Sequence, residues 1–498
     1  QSIKSLTLSG SQLLVNILLP KVSPALNIIG SSSEGLSVEN SSVCDILGIL
    51  NITNSGGSGI IIDDGILNLT GDGTIDNMDE YGLHIQDGTL NLHGNLDVIN
   101  IDLDGIKIDA LGQMNILNLP TQSTPTLDIT DALGDGIISA GNFYSNGDIK
   151  IIDCDNAINN SGVFETAKKI IIYTSNTGIK TSNSFIISGT VNLITCTAGV
   201  KNEQNTVGFI NNGSLSIYAS SAGLQHNGIG SKFTNESTGI IYINANTNVA
   251  MDVQSNFLNK GSILIGNKPY LAINNISNSL GFINQGTITI NNATTNAIKN
   301  TGAGCTFLND VSGIITIDSS NSDGIYTERQ FINKGQLTLN SGIGGYAIEN
   351  KQNSYGFANE GQITVNNKQI RNIGTGSYFR NKSGGTLTME SQGILSTEIF
   401  RNDGSIVINN ADNGIAGADI KDDFTNYGEI EINNPEIGIK FNRSVGVIGA
   451  LVNKPGGSVE INNPTISGME LATELNNQGS ISINNSDSLG LYLKSNAY

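Results

Sequence analysis

The chain has 498 residues, a formal net charge of −19, 60 Gly, 8 Pro, 4 Cys and no Trp. The acidic balance comes without any Lys/Arg cluster, which excludes binding to nucleic acid through its phosphates and suits an extracellular or salty setting. No apolar run reaches the roughly 18 residues that a membrane-spanning helix needs, so the sequence predicts no span.

Residues 1–134 carry a loose repeat. A glycine followed by an aliphatic residue recurs at Gly35-Leu36, Gly59-Ile60, Gly82-Leu83 and Gly105-Ile106, interleaved with strand phrases such as Gly65-Ile66-Leu67-Asn68-Leu69 and Gly88-Thr89-Leu90-Asn91-Leu92. Gln1 in place of a methionine points to a processed or trimmed N-terminus. Pro120 and Pro125 bracket an insertion that predicts a surface loop inside one coil, not a linker between folds.

From 135 to 498 the repeat becomes regular. Phe143, Phe164 and Phe185 lead into twelve copies of the phrase aromatic-x-Asn-x-Gly-x-Ile-x-Ile, as in Phe282 to Ile290. Its first residue is Phe209, Phe233, Phe257, Phe282, Phe307, Phe331, Phe357, Phe379, Phe400 and Phe424, then Leu451 and Leu475. Its asparagine is Asn211, Asn235, Asn259, Asn284, Asn309, Asn333, Asn359, Asn381, Asn402, Asn426, Asn453 and Asn477, at spacings of 21 to 27 residues. A fixed period in this range specifies a solenoid, in which no coil buries its apolar face alone. The fold class is therefore all-β, a right-handed parallel β-helix of about twenty coils, each about 24 residues long and stacked at strand spacing. In it the phenylalanines form an interior stack and the asparagines an amide ladder.

Two further columns set the register. Asp310, Lys334, Glu360, Lys382 and Asp403 alternate in sign on five consecutive coils, an order that attracts in register and repels when slipped by one coil. In the copies at Phe233, Phe307, Phe379 and Leu451, two extra residues separate the asparagine from the next strand, so every third coil bulges. After Leu475 the next anchor falls due near the last residue, and an open coil exposes unpaired edge groups. The expectation is a chain that continues past Tyr498, or self-association through a second subunit on that end.

Catalysis, metals and special surfaces leave little trace. The acidic loops with Asp72, Asp76, Asp79 and Glu80, and with Asp128, Asp131 and Asp135, match no Ca²⁺-binding spacing and predict solvated turns, with structural Ca²⁺ as the secondary expectation. His84, His93 and His226 predict ordinary surface or turn positions, although His84 and His93 are close enough in sequence to approach each other. Arg380 and Arg401 share a column that could grip a carboxylate, and a solvated face is the simpler expectation. The four cysteines lack metal or disulfide spacing; Cys154 and Cys196, two coils apart in one column, predict buried thiols. The outward positions Ser216, Tyr242, Leu264, Thr289, Thr316 and Thr338 read as a mixed column, not the regular threonine array that ice binding needs.

The run Phe282-Ile283-Asn284-Gln285-Gly286-Thr287-Ile288-Thr289-Ile290 and its variants resemble the repeats of large bacterial surface proteins of the filamentous-haemagglutinin type. In composition the chain is also similar to giant secreted filament proteins, including grappling-hook appendages of Bacteroidetes. The resemblance covers most of 143–498 and implies a secreted, cell-surface or appendage protein that adheres or assembles, with a glycan or cell-surface target and no cofactor. Such adhesins carry no short catalytic motif, so no site residue transfers. The resulting expectation is a non-catalytic structural and adhesive segment. The alternative is a carbohydrate-active β-helix, a lyase, hydrolase or tailspike-like glycan binder.

Overall fold

The computed structural model describes residues 2–3, 6–9, 12–15, 25–120, 123–203, 206–228, 230–244, 248–277, 281–351, 356–418, 423–442 and 449–494. It is a β-solenoid of parallel stacked coils, about eighteen turns, with no helix among the described residues. The chain divides into two compact units, Gln1–Thr247 and Asn248–Tyr498. The change from loose to regular phrases at 134/135 falls inside the first of them.

A coil has three strand faces. In the second unit one coil runs Phe282–Asn284, Thr287–Ile290 and Ile298–Asn300; we call these the phenylalanine face, the isoleucine face and the third face. Each strand pairs in parallel with its equivalent one coil on: Phe282 with Phe307, Ile288 with Ile315, Ile298 with Ile325. The first unit repeats the plan, with Phe164 paired to Phe185, Ile170 to Val191 and Ile179 to Val200. Parallel stacking places alternate residues inward on every coil, so a residue type repeated at the coil period becomes a column.

The loose segment keeps these columns with other residues. Cys44, Leu67, Leu90 and Met114 occupy the positions that Phe143 and its successors take later. All are fully buried. The apolar interior is therefore continuous through the change in phrase, and only its filler differs.

Glycine in the phrase answers a close approach. A Cβ on Gly286 would fall on the carbonyl oxygen of Gly261 one coil earlier. The turn between the isoleucine face and the third face needs a left-handed residue instead, and Asn54, Asn77, Asn100, Asp131 and Asp153 supply it with φ between 54° and 62°.

Candidate functional surface

The predicted stack forms. In the first unit the rings of Phe143, Phe164, Phe185, Phe209 and Phe233 lie with centroids 4.4 to 5.0 Å apart and planes within 10°. In the second unit the run from Phe257 to Phe424 keeps 4.7 to 4.9 Å throughout. Backbone spacing imposes this separation, and every ring of both runs is buried.

The asparagine ladder forms beside it. Asn284 Nδ2 donates to Asn309 Oδ1 at 2.8 Å, and Asn309 Nδ2 to Asn333 Oδ1 at 2.7 Å. The series continues through Asn359, Asn381, Asn402, Asn426 and Asn453 to Asn477, always donating toward the later coil. Each amide also donates to backbone; Asn333 Nδ2 reaches the carbonyls of Gly335 and Gln362 at 3.3 and 3.0 Å. Those carbonyls fix which amide atom is nitrogen, and so fix the direction of the ladder. In the first unit Asn211 donates to Asn235 at 2.8 Å, but Ile187 precedes it in the column and Asn211 Oδ1 is buried without a partner.

A second buried polar column lies on the third face and was not foreseen. It runs Ser139, Asn160, Thr181, Asn202 and His226 in the first unit. In the second it links Asn275 to Asn300 at 2.8 Å, Asn300 to Thr327 at 3.1 Å and Asn350 to Asn372 at 2.7 Å. His226 therefore corrects the surface expectation: it is fully buried, and its Nδ1 accepts from Asn202 Nδ2 at 3.0 Å. Because an amide nitrogen only donates, the imidazole carries its proton on Nε2.

The outer surface uses its charges on itself. His84 also departs from the surface expectation, being buried on an outward position, where its Nε2 meets Asp109 at 2.8 Å, with Lys107 beside the same carboxylate and over the Tyr81 ring at 4.7 Å. His93 instead lines an open depression of 360 Å³ with Asp72 and Asn95. The acidic loops hold amide donors: Asn100 reaches Asp76 at 2.8 Å, and Asn156 and Asn159 both reach Asp135 at 2.7 Å. Among the described residues no three of His, Cys, Asp and Glu converge on a metal position. Arg380 and Arg401 close on Asp403 at 2.7 and 2.8 Å, and Arg401 stacks over Tyr427. Of the alternating column, Lys382 pairs with Glu360 at 2.5 Å, while Asp310 accepts from Gln285 at 3.0 Å, and that bond first, then the Val311 N–H and lastly the charge of Lys334, hold its carboxyl below the usual range. The four wide turns also recur, each closed by the same hydrogen bond: Gly239 to Glu236, Gly313 to Asp310, Gly385 to Lys382 and Gly457 to Lys454.

One acidic contact is unusual. Glu349 and Asp323 are both buried and hydrogen-bonded to each other, and desolvation first, then mutual repulsion, raises the Glu349 carboxyl above its ordinary range. Burial likewise raises Asp323. Arg371 reaches Glu349 at 3.3 Å and lies over the Tyr346 ring. Two carboxyls in contact are closer than the roughly 5 Å or more that glycoside hydrolysis places between its acid and its nucleophile or base.

All four cysteines are free and buried, Cys154 and Cys196 as expected and Cys44 and Cys305 with them, and desolvation pushes Cys44, Cys196 and Cys305 up to about 11 and Cys154 to about 12. On the isoleucine face the outward column reads Thr289, Thr316, Thr338, Thr364 and Thr388 on five consecutive coils. Compared with models of known protein families and with curated proteins, the chain has no significant match to either.

Proposed function

We propose that this chain is a non-catalytic structural and adhesive segment of an extracellular bacterial filament or surface appendage. The observation that carries the reading is the pair of inward ladders, phenylalanine stacked from Phe143 to Phe233 in the first unit and from Phe257 to Phe424 in the second, and directional asparagine from Asn259 to Asn477. Such columns give a stiff, protease-resistant body and leave recognition to the outward residues and turns. Cell-surface placement, adhesion to a glycan or cell-surface target and association with further coils or copies belong to the same proposal. Negative-stain imaging of the native material tests it: extended filaments or rods are the expected result. Discrete particles that release new chain ends from acidic polysaccharides would overturn it in favour of a carbohydrate-active β-helix.

A further inference from the structure

We propose that the isoleucine face of the second unit binds ordered water, and through it the surface of ice, by the threonine ladder Thr289, Thr316, Thr338, Thr364 and Thr388. This inference does not rest on the appendage reading, since any rigid β-face with this array would serve.

The five residues are direct ladder partners, coil by coil, so their side chains repeat at about 4.8 Å on a hydrogen-bonded frame. Each is half-exposed, and among the described residues none of the five hydroxyls bonds to a protein group. Every hydroxyl is therefore left for water. A threonine on a strand is also held stiffly at χ1, so its methyl and hydroxyl keep fixed positions. A row of hydroxyls, each with a methyl on the same carbon, confines water sideways while offering it a hydrogen bond at each coil, at a spacing close to the oxygen repeat along one axis of the ice lattice.

The flanks are uncharged on one side and polar on the other. Two residues before the threonines, on the same side of the strand, the column reads Thr287, Ile314, Gln336, Gln362 and Thr386. On the other flank Asn366 donates to Asn340 and Asn340 to Asp318, both at 2.7 Å, a locked polar edge. The threonine column itself carries no charge over these coils, and the two carboxylates on the far flank, Asp318 and Glu390, accept from Asn340 and Asn409; this matters because a free charged group holds its own hydration shell against the lattice. Strand propensity alone favours threonine at outward positions, but it acts on every coil alike. In the first unit the equivalent column reads Lys150, Ile171, Asn192, Ser216 and Tyr242, and past Val407 in the second it becomes Glu431 and Glu460. The regularity is confined to one run of coils.

The test uses the purified 498-residue chain. Partition into a slowly grown ice front and inhibition of ice recrystallisation are measured for the wild type, Thr338→Tyr and Asn192→Tyr, with circular dichroism as the folding control. A Tyr at the centre of the ladder lifts the surface off the lattice and is expected to cut ice partition by about tenfold or more, while the first-unit variant Asn192→Tyr matches the wild type. Thr338→Val, which keeps the shape and removes one hydroxyl, falls between them. Exclusion of the wild type from ice, full activity of a folded Thr338→Tyr, or equal loss in Asn192→Tyr would each overturn the inference.

Discussion

Asn333 is the place to measure what one rung of the amide ladder contributes. Its Nδ2 donates to Asn359 Oδ1 at 2.8 Å and to the carbonyls of Gln362 and Gly335, and its Oδ1 accepts from Asn309 at 2.7 Å. Asn333→Ala leaves Asn359 Oδ1 buried without its donor, worth about 1–3 kcal/mol, and removes the other bonds at about 1 kcal/mol each. Asn309 keeps its carbonyl bonds to Gly313 and Gln336, so the total stays near 3–5 kcal/mol. Asn333→Asp keeps the shape but puts a carboxylate against three oxygen acceptors in a fully buried position. That carboxyl is stable only when protonated, so its folded pKa rises above the unfolded value. The deficit is then largest near neutral pH and shrinks as pH falls through the raised folded value. A solenoid unfolds locally, so the assay is hydrogen exchange on the coils holding Asn309, Asn333 and Asn359, with the coil at Asn453 as internal reference. Asn333→Ala gives a pH-independent loss of protection and Asn333→Asp a loss that acid partly restores. An Asp variant as protected as wild type at neutral pH would refute the directional ladder.

Other outcomes follow from the same contacts. Ile187→Asn gives the orphaned Asn211 Oδ1 a donor, so in urea denaturation it is expected to cost about 1 kcal/mol or less, whereas Leu193→Asn, equally buried with no polar column, costs about 3 kcal/mol or more. The raised Glu349 and Asp323 carboxyls contribute stability that is present below the unfolded carboxylate range and lost as pH rises through their folded values. Denaturation midpoints over about pH 4–8 should therefore fall with pH in the wild type and fall less in Glu349→Gln; identical slopes would sink that reading. Gly286→Ala drives a methyl into the Gly261 carbonyl and is expected to cost about 2–4 kcal/mol by the same measurement. The four thiols should resist alkylation at pH 8 in the folded protein and react together in denaturant, as mass spectrometry can follow.

What was legible in the sequence was whatever used one residue type per column. Phe331 and Asn333 announce their columns because every neighbouring coil repeats them at nearly constant spacing. The third-face ladder escaped because Ser139, Asn160, Thr181, Asn202 and His226 do the same work with four residue types. Their common feature is only that each sits two residues after an aliphatic position, and His226 was misplaced for want of that register. The contact between Asp323 and Glu349 was out of reach for a different reason. One comes from a turn and the other from an outward strand position on the next coil, and their meeting depends on how that turn is shaped. The threonine run is legible past Thr338 once it is counted from the asparagine of each phrase: Thr364 follows Asn359 by five residues as Thr338 follows Asn333, and Thr388 follows Asn381 by seven as Thr316 follows Asn309 across the wide turns.

The inward and outward columns divide stability from specificity. A column of identical residues is indifferent to slipping by one coil: Asn still meets Asn, and Phe still meets Phe. The inner ladders therefore stabilise stacking without choosing a register. The outward columns are heterogeneous and break that degeneracy. A one-coil slip would take Lys382 from Glu360, Arg380 from Asp403 and Asn340 from Asp318, and would set the wide turns against narrow ones. Each exposed pair is worth only about 0–1 kcal/mol, yet it acts where the much larger interior terms nearly cancel between alternatives. The amide directions add a constraint of another kind. The inner ladders donate toward later coils, as from Asn309 to Asn333, whereas outer ones donate toward earlier coils, as from Asn463 to Asn434 and Asn485 to Asn463. Opposed rows of dipoles offset each other along the axis, so the stack grows without building up opposite partial charges at its ends, unlike the aligned peptides of a helix.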